Sequence, residues 1–283
     1  MKRWYAEMDK ELINQSIDYI LQHFDEGISA RDVADHFHFS ESYFCRTFRK
    51  ATGSNLYELI KRLKMDQSAI AIKQMKERSI TDIGLDYGYS TSNYSSAFKK
   101  HHAVSPAKFR RSANVSSMRN PFYPEALSEF NTFEGYNDQI KIEEFEDVQV
   151  IYERVIGNYS ALKEKWPRFL YQYRDYIQEG TLFFERFYDD PAIAGLDSCI
   201  YDICITTSES DTLPNLTTIK GGKFAVFHYE GEIQNIFCSV QGVFSVWLPA
   251  SGYRMSERYG LNRYREINEK SGSVAIDLCI PIQ

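Results

Sequence analysis

The chain has 283 residues, of which 43% are hydrophobic and 15% aromatic, with a formal net charge of −6. That length exceeds what one hydrophobic core usually serves, and that composition argues against intrinsic disorder, so two folded domains are expected. No run of 18 apolar residues exists and the opening MKRWYAEMDKEL carries no apolar segment, so neither a membrane span nor a secretory signal is expected.

The charge is unevenly distributed. Residues 1–113 hold 18 Lys and Arg against 14 Asp and Glu, while residues 114–283 hold 15 against 25. A basic first part with an acidic remainder suits a nucleic-acid-binding module joined to one that should not touch DNA.

In chain order, residues 9–26 read as an amphipathic helix with Ile13, Ile17, Ile20, Leu21 and Phe24 at helical spacing. Ser29 then opens a second helix, with Asp32 in capping-box register and the small Ala34 where two helices approach closely. Ser40 is placed to cap a helix over 41–52 that Gly53 ends. In it, Phe44 and Phe48 face inward, and Ser42, Tyr43, Cys45, Arg46 and Arg49 face outward. Residues 56–77 lack Gly and Pro and keep an apolar helical stripe. Such a rod would span roughly 33 Å, close to the roughly 34 Å between equivalent major-groove faces one DNA turn apart.

Fifty residues after the first unit its pattern returns. Asp82, Val33/Ile83, Ala34/Gly84, Ser90, Ser92, Phe44/Tyr94, Phe48/Phe98, Lys99 and Lys100 match residue n to n+50. The second unit is a supporting helix 80–86, a turn with Gly88 where the first has His38, and a second helix 91–101. VSPAKFRR closes it with one more short helix from Ser105-Pro106. These features make residues 9–111 resemble the DNA-binding domain of the AraC family, a tandem helix-turn-helix. In that family the second unit usually carries one residue more between its turn aromatic and its terminal phenylalanine. The shorter Tyr89–Phe98 spacing here implies a second reading helix that starts later or sits shallower.

Reading-helix chemistry nominates Ser40, Ser42, Tyr43, Arg46, Arg49 and Lys50 in the first unit, and Thr91, Ser92, Asn93, Ser96, Lys99 and Lys100 in the second. Arg46, midway along its helix, suits a bidentate pair with guanine. The basic residues near the helix ends suit phosphates. Asn93 suits adenine, and the hydroxyls discriminate weakly, so the first unit should carry more of the specificity.

Residues 112–137 have little periodicity and read as a linker. Beyond them IKIEEF, VQVIYERV, FFERFYDD, CIYDICI, KFAVFHYEG, YREI and SVAIDLCIPI read as strands, and 159–177 and 233–248 as helices. Strand-helix-strand occurs twice, so an α+β domain with internal pseudo-symmetry is expected behind the all-α first domain. RVIGNY, the FYDDP turn, YDICI, FAVFHYEGE, WLPASGY and DLCIPI make residues 138–283 resemble the GyrI-like effector-binding domain. The domains expected are thus 1–111, a linker 112–137, and 138–283.

The second resemblance implies a groove between two pseudo-symmetric halves that binds small, often aromatic and cationic, molecules. Tyr152, Tyr159, Trp166, Tyr201, Tyr229, Trp247 and Tyr264 are the aromatic candidates, and Glu185 the inward acid, with Glu230 and Asp202 as others. The family commonly has a glutamate where Asn262 stands here, and Arg263 adds a positive charge beside it, which weakens the implied preference for cations.

No phosphate loop, Ser-His-Asp order or zinc spacing is present, so no catalytic residue, cofactor or metal is assigned. His36 and His38 lie two apart on a turn and His101-His102 are adjacent, neither with a third ligand at familiar spacing. Five cysteines without a C-x-x-C spacing read as reduced thiols of a cytoplasmic protein. The expected protein is a sequence-specific transcription regulator, not an enzyme. Its expected partners are double-stranded DNA, a small-molecule effector and RNA polymerase, with no membrane. Two readings of the C-terminal part stay open beside the sensor: a DNA-tethered hydrolase-like enzyme and a protein-interaction module.

Overall fold

A computed structural model describes residues 2–112, 117–123, 125, 127–157, 159–208, 213–257, 259–268 and 271–283. Asn158 of the RVIGNY motif, and residues 113–116, 124 and 126 of the expected linker, lie outside the described residues. The chain divides into two compact units, 1–113 and 114–283. No helix among the described residues is long and apolar enough to cross a membrane.

The first unit is all helical. α1 (Lys2–His23) continues through a 3-10 turn to Gly27, and its Ile17, Ile20 and Phe24 are fully buried. α2 (Ala30–His36) begins with the capping box its sequence announces. The Ser29 hydroxyl accepts from Asp32 N–H while the Asp32 carboxylate accepts from Ser29 N–H. α3 (Glu41–Thr52) buries Phe44 and Phe48 and stops at Gly53. Its N-cap Ser40 has the extended backbone of a cap but makes no side-chain capping bond.

α4 (Leu56–Gln74) is three residues shorter than the rod expected from composition, about 28 Å long. Lys76 and Glu77 carry no breaker. The helix ends because Met75 leaves helical geometry, Arg78 N–H turns back to Met75 O, and Ser79 caps the next helix. α5 (Ile80–Asp86) and α6 (Thr91–His102) repeat α2 and α3 with the fifty-residue offset intact. α6 starts at Thr91 as α3 starts at Glu41, and Tyr94 and Phe98 are buried like Phe44 and Phe48. The late start implied by the shorter second unit is therefore not observed, because two buried aromatics pin the same register. α7 (Pro106–Ser112) closes the unit.

Gly84 and Gly88 show what the turn demands. A Cβ on Gly84 would lie 2.5 Å from Tyr94 Cγ, so only glycine lets α5 and α6 approach this closely. Gly88 has φ +78°, and His38, its counterpart, adopts φ +60° despite its side chain.

The second unit is α+β. Within the stretch read as a linker lie a two-stranded hairpin of β1 (Ser117–Arg119) and β2 (Leu127–Glu129), followed by α8 (Phe133–Asn137). The main sheet is antiparallel and built from β3 (Ile140–Phe145), β4 (Val148–Ile156), β5 (Phe183–Phe187), β6 (Ile200–Thr206), β7 (Leu216–Ile219), β8 (Gly222–Glu232), β9 (Gly260–Asn268) and β10 (Ser273–Pro281). Its order is β3-β8-β10-β9-β5-β6-β4-β7. α9 (Leu162–Gln172) follows β4, and α10 (Pro191–Ala194) follows β5. α11 (Ile236–Gly242) follows β8 and runs through a π-helical turn, Val243–Trp247, into α12 (Leu248–Ala250).

Two strand-helix-strand-strand modules are thus joined edge to edge, β4-α9-β5-β6 and β8-α11-β9-β10, with β5 and β9 paired at the seam. α9 packs on Ile151, Tyr201, Ile203 and Ile205 through Phe169, and α11 with its continuation packs on Ala225, Phe227, Leu278 and Ile280. Phe187 packs against both cores, so both helices lie on one face of the sheet.

Candidate DNA interface and effector site

The helix periodicity that buries Phe44 and Phe48 leaves Ser40, Ser42, Tyr43, Arg46, Arg49 and Lys50 exposed on one face of α3. Thr91, Ser92, Asn93, Ser96, Lys99 and Lys100 are likewise exposed on α6. Tyr43 stacks on Phe39 with ring centroids 5.3 Å apart, and both stay more than a third exposed, so this pair extends the face past the helix start. Phe39 was not singled out in the sequence, where it read as a turn residue. Ser90 and Ser92 hydroxyls bond each other at 3.2 Å. Arg49 and Lys50 fall in the last turn of α3, and Lys99 and Lys100 in the last turns of α6, where cations also complement the helix dipole.

In the second unit the seam between the modules holds a carboxylate. Glu185, 1% exposed, stands on β5 directly opposite Asn262 on β9. Strand alternation turns it to the helix face with Phe183 and Phe187. Tyr159 Oη donates to its Oε1, while Asn262 Nδ2 and Tyr264 Oη donate to Oε2 at 3.2 and 3.1 Å. Tyr201 packs on Tyr159 at 4.8 Å and Trp166 stands edge-on to Tyr264 at 5.5 Å. Burial pushes the Glu185 carboxyl up, more than its three donors pull it back. Burial and the charge of Glu185 push the Tyr159 and Tyr264 phenols well up, which keeps them protonated donors. Asn262 Oδ1 is buried with no hydrogen-bond partner.

Six of the nine residues nominated for a ligand therefore meet: Tyr159, Trp166, Glu185, Tyr201, Asn262 and Tyr264. The carboxylate that the resemblance would put at 262 is supplied from the opposite strand. Arg263 does not enter the site, because alternation sends it to the other face, where it bonds Asp277 at 2.7 and 3.0 Å.

Three nominees lie elsewhere. Tyr152 sits on the opposite face, beneath the guanidinium of Arg154 at 5.6 Å. Tyr229 donates to Glu232 O and lines a separate cleft of about 480 Å³ with Tyr136, Phe227 and Cys238. Trp247 is turned inward by the π-helical stretch, and its Nε1 donates to Asn137 Oδ1 at 3.1 Å. Conversely, Phe122 packs on Tyr159 at 5.5 Å and on Phe237 at 5.5 Å. Nothing in its Pro- and Asn-rich surroundings signalled that position.

The other two inward-acid candidates are not in the site either. Asp202, on the opposite face, is clamped between its cross-strand partners Arg154 and Arg186 at 2.7–3.1 Å. Burial pushes its carboxyl up, but the two guanidinium charges and their hydrogen bonds outweigh that and hold it at about 2. Asp277 occupies the equivalent place in the second module, between cross-strand His228 and Arg263. Glu230 is exposed. Cys199, Cys204, Cys238 and Cys279 are buried, Cys45 is half-buried, and none is in a disulfide.

The family model for a GyrI-like small molecule binding domain matches residues 138–283, and that for a helix-turn-helix domain matches residues 33–112. The right origin-binding protein of Escherichia coli (strain K12) is 24% identical over 300 residues, covering 96% of this chain and 98% of that protein. The transcriptional regulator Rob of Salmonella typhimurium is 23% identical over 291 residues, covering 94% and 95%. A cryo-EM structure of an EcmrR–DNA complex superposes with a TM-score of 0.46 at 10% identity, over 87% of this chain and 85% of that one.

Proposed function

The chain belongs to the GyrI-like family, and from that premise we propose that this transcriptional regulator takes as its effector a small aromatic or amphipathic molecule held over Glu185. One observation carries the reading: a fully buried carboxylate and an unpartnered amide oxygen, Asn262 Oδ1, sit among the rings of Tyr159, Trp166, Tyr201 and Tyr264. Two acceptors inside an aromatic wall favour a flat apolar body that carries a hydrogen-bond donor or a positive charge. The division we assign is residues 1–111 for DNA, 112–137 as the connection and 138–283 for the effector. DNA contact is assigned to the exposed faces of α3 and α6, with Arg46 reading bases and Arg49, Lys50, Lys99 and Lys100 gripping phosphates. RNA polymerase is the partner through which a DNA-bound regulator would act, and five unbridged thiols fit action in the cytoplasm.

Thermal-shift screening of the full chain against aromatic compounds, with and without a donor or cationic group, tests the effector. The donor-bearing set should stabilise the protein and Glu185→Gln should abolish the shift. Equal shifts in both proteins would remove Glu185 from the site. Mobility-shift titration against genomic fragments at physiological salt tests the DNA assignment, and no preference over random duplex would remove it.

A further inference from the structure

In the first unit Asp66 of α4 is buried, 1% exposed, and meets two histidines from the C-terminal end of α6. His101 Nε2 lies 2.8 Å and His102 Nε2 3.9 Å from Asp66 Oδ1, and the three atoms lie within 4.8 Å of one another. Among the described residues this is the one cluster of three such ligand atoms. Neighbouring side chains on a helix diverge by about 100°. Here the two rings instead stand edge to face, 4.5 Å apart, and both bring Nε2 to one oxygen. A hydrogen bond joins His101 to Asp66, while His102 Nε2, 3.9 Å from the same oxygen, faces the Met65 carbonyl.

We propose that Asp66 Oδ1, His101 Nε2 and His102 Nε2 bind one divalent first-row transition ion of the class that imidazole selects, such as zinc or cobalt. Two imidazoles and one carboxylate are a familiar donor set for such ions, with ligand distances of roughly 2.0–2.2 Å. Arg62 holds the other oxygen, Oδ2, at 3.0 Å and leaves Oδ1 for single-point ligation. Metal ligation needs neutral imidazoles, and at His102 the ion would replace the contact of Nε2 with the Met65 carbonyl at 3.2 Å. The ion would displace a proton from that contact and from the Asp66–His101 bond. The His101 side chain is 30% exposed, which gives the ion an entry path and an open fourth position for water. Because Asp66 and the histidines lie on different helices, a bound ion fastens α6, with its exposed Ser92, Asn93 and Ser96, to α4.

The test uses the full chain stripped with chelator, then titrated with Zn²⁺ by calorimetry and with Co²⁺ by visible absorption. One equivalent per chain should bind, raise the melting temperature and give the intense visible band of low-coordinate cobalt. His101→Ala, at the most exposed ligand, should weaken binding at least about tenfold while leaving the circular dichroism spectrum unchanged. His101→Cys should restore the equivalent and add a sulfur-to-cobalt charge-transfer band. Substoichiometric binding by the natural sequence, unchanged affinity in His101→Ala, or a His101→Cys protein without the new band would each overturn the site.

Discussion

Glu185 and Asn262 face each other across the β5–β9 pair, and Asn262 Nδ2 donates to Glu185 Oε2 at 3.2 Å. They are equivalent positions of the two modules, since Glu185 pairs with Ile203 beside Asp202 and Asn262 pairs with Leu278 beside Asp277. One module therefore contributes the charge and the other the neutral amide that solvates it. Two carboxylates at this seam would repel in a site where neither reaches water.

Asn262→Asp tests that relationship. The second carboxyl should push the pair's titration higher still, because like charges at this distance cannot both ionise. An acid raised in the folded state binds more protons there than in the unfolded chain, so its contribution falls as pH rises above about 4. The variant should therefore lose stability between pH 4 and pH 8 more steeply than the natural protein, in chemical denaturation at stepped pH. Parallel curves would contradict the arrangement.

Asp202 sets the acid limb. Its carboxyl is held at about 2 by Arg154 and Arg186, below the unfolded value. Its stabilisation is thus fully present above about pH 4 and is lost as pH falls toward 2. The amount at stake is of the order of 2 kcal/mol. Asp202→Asn should abolish that limb and also destabilise the protein at neutral pH by about 3–5 kcal/mol, since it leaves two buried guanidinium groups without their counter-charge.

His38 and Ala103 hold left-handed backbone, φ +60° and +61°, with side chains attached. Replacing either by glycine should stabilise the first unit by about 0.5–1 kcal/mol, the relief of that conformation less the entropy glycine loses on folding. Urea midpoints of the single and double variants give the measurement. A lower midpoint for His38→Gly would mean its ring contributes more packing than the strain costs.

Gly84→Ala should cost roughly 1–3 kcal/mol, because the added methyl meets the buried Tyr94 side chain at 2.5–2.9 Å. The first unit tolerates Ala34 at the same place, so the loss should appear selectively in hydrogen exchange of α5 and α6. Uniform deprotection of the whole unit would argue that the two halves do not open separately.

Arg46→Ala should cost about 1–3 kcal/mol against the preferred site and relax the preference at one base position. Lys100→Ala should weaken binding to all sequences alike and lower the salt slope by about 1. The measurement is binding to the selected and a scrambled duplex across a salt series. Equal effects of both substitutions on both quantities would contradict the division between base and phosphate contacts.

The helical part was largely legible, although α1 begins at Lys2 rather than at residue 9. The capping box at Ser29–Asp32, the inward Phe44 and Phe48 and the fifty-residue repeat are local patterns, and local hydrogen bonds and helical spacing decide them. The end of α4 at Gln74 was not legible, because the turn that stops it is made by backbone bonds rather than by a breaking residue. In the second unit seven of the eight strands of the main sheet were legible, β7 and the β1–β2 hairpin were not, and the site was only half so. Tyr152 and Tyr159 read alike in sequence, yet alternation along β4 puts one beneath Arg154 and the connection after it swings the other onto Glu185.

By itself the sequence determined a basic tandem-helix module ahead of an acidic α+β module, because composition, caps and periodicity act within a few residues of where they are written. Tertiary structure alone decided which side chains donate to Glu185, that Arg263 belongs to Asp277, and that Asp66 meets His101 and His102 across 35 residues. Strand register and helix contact set those meetings, and a shift of one residue in either would turn each of those side chains to a different neighbour.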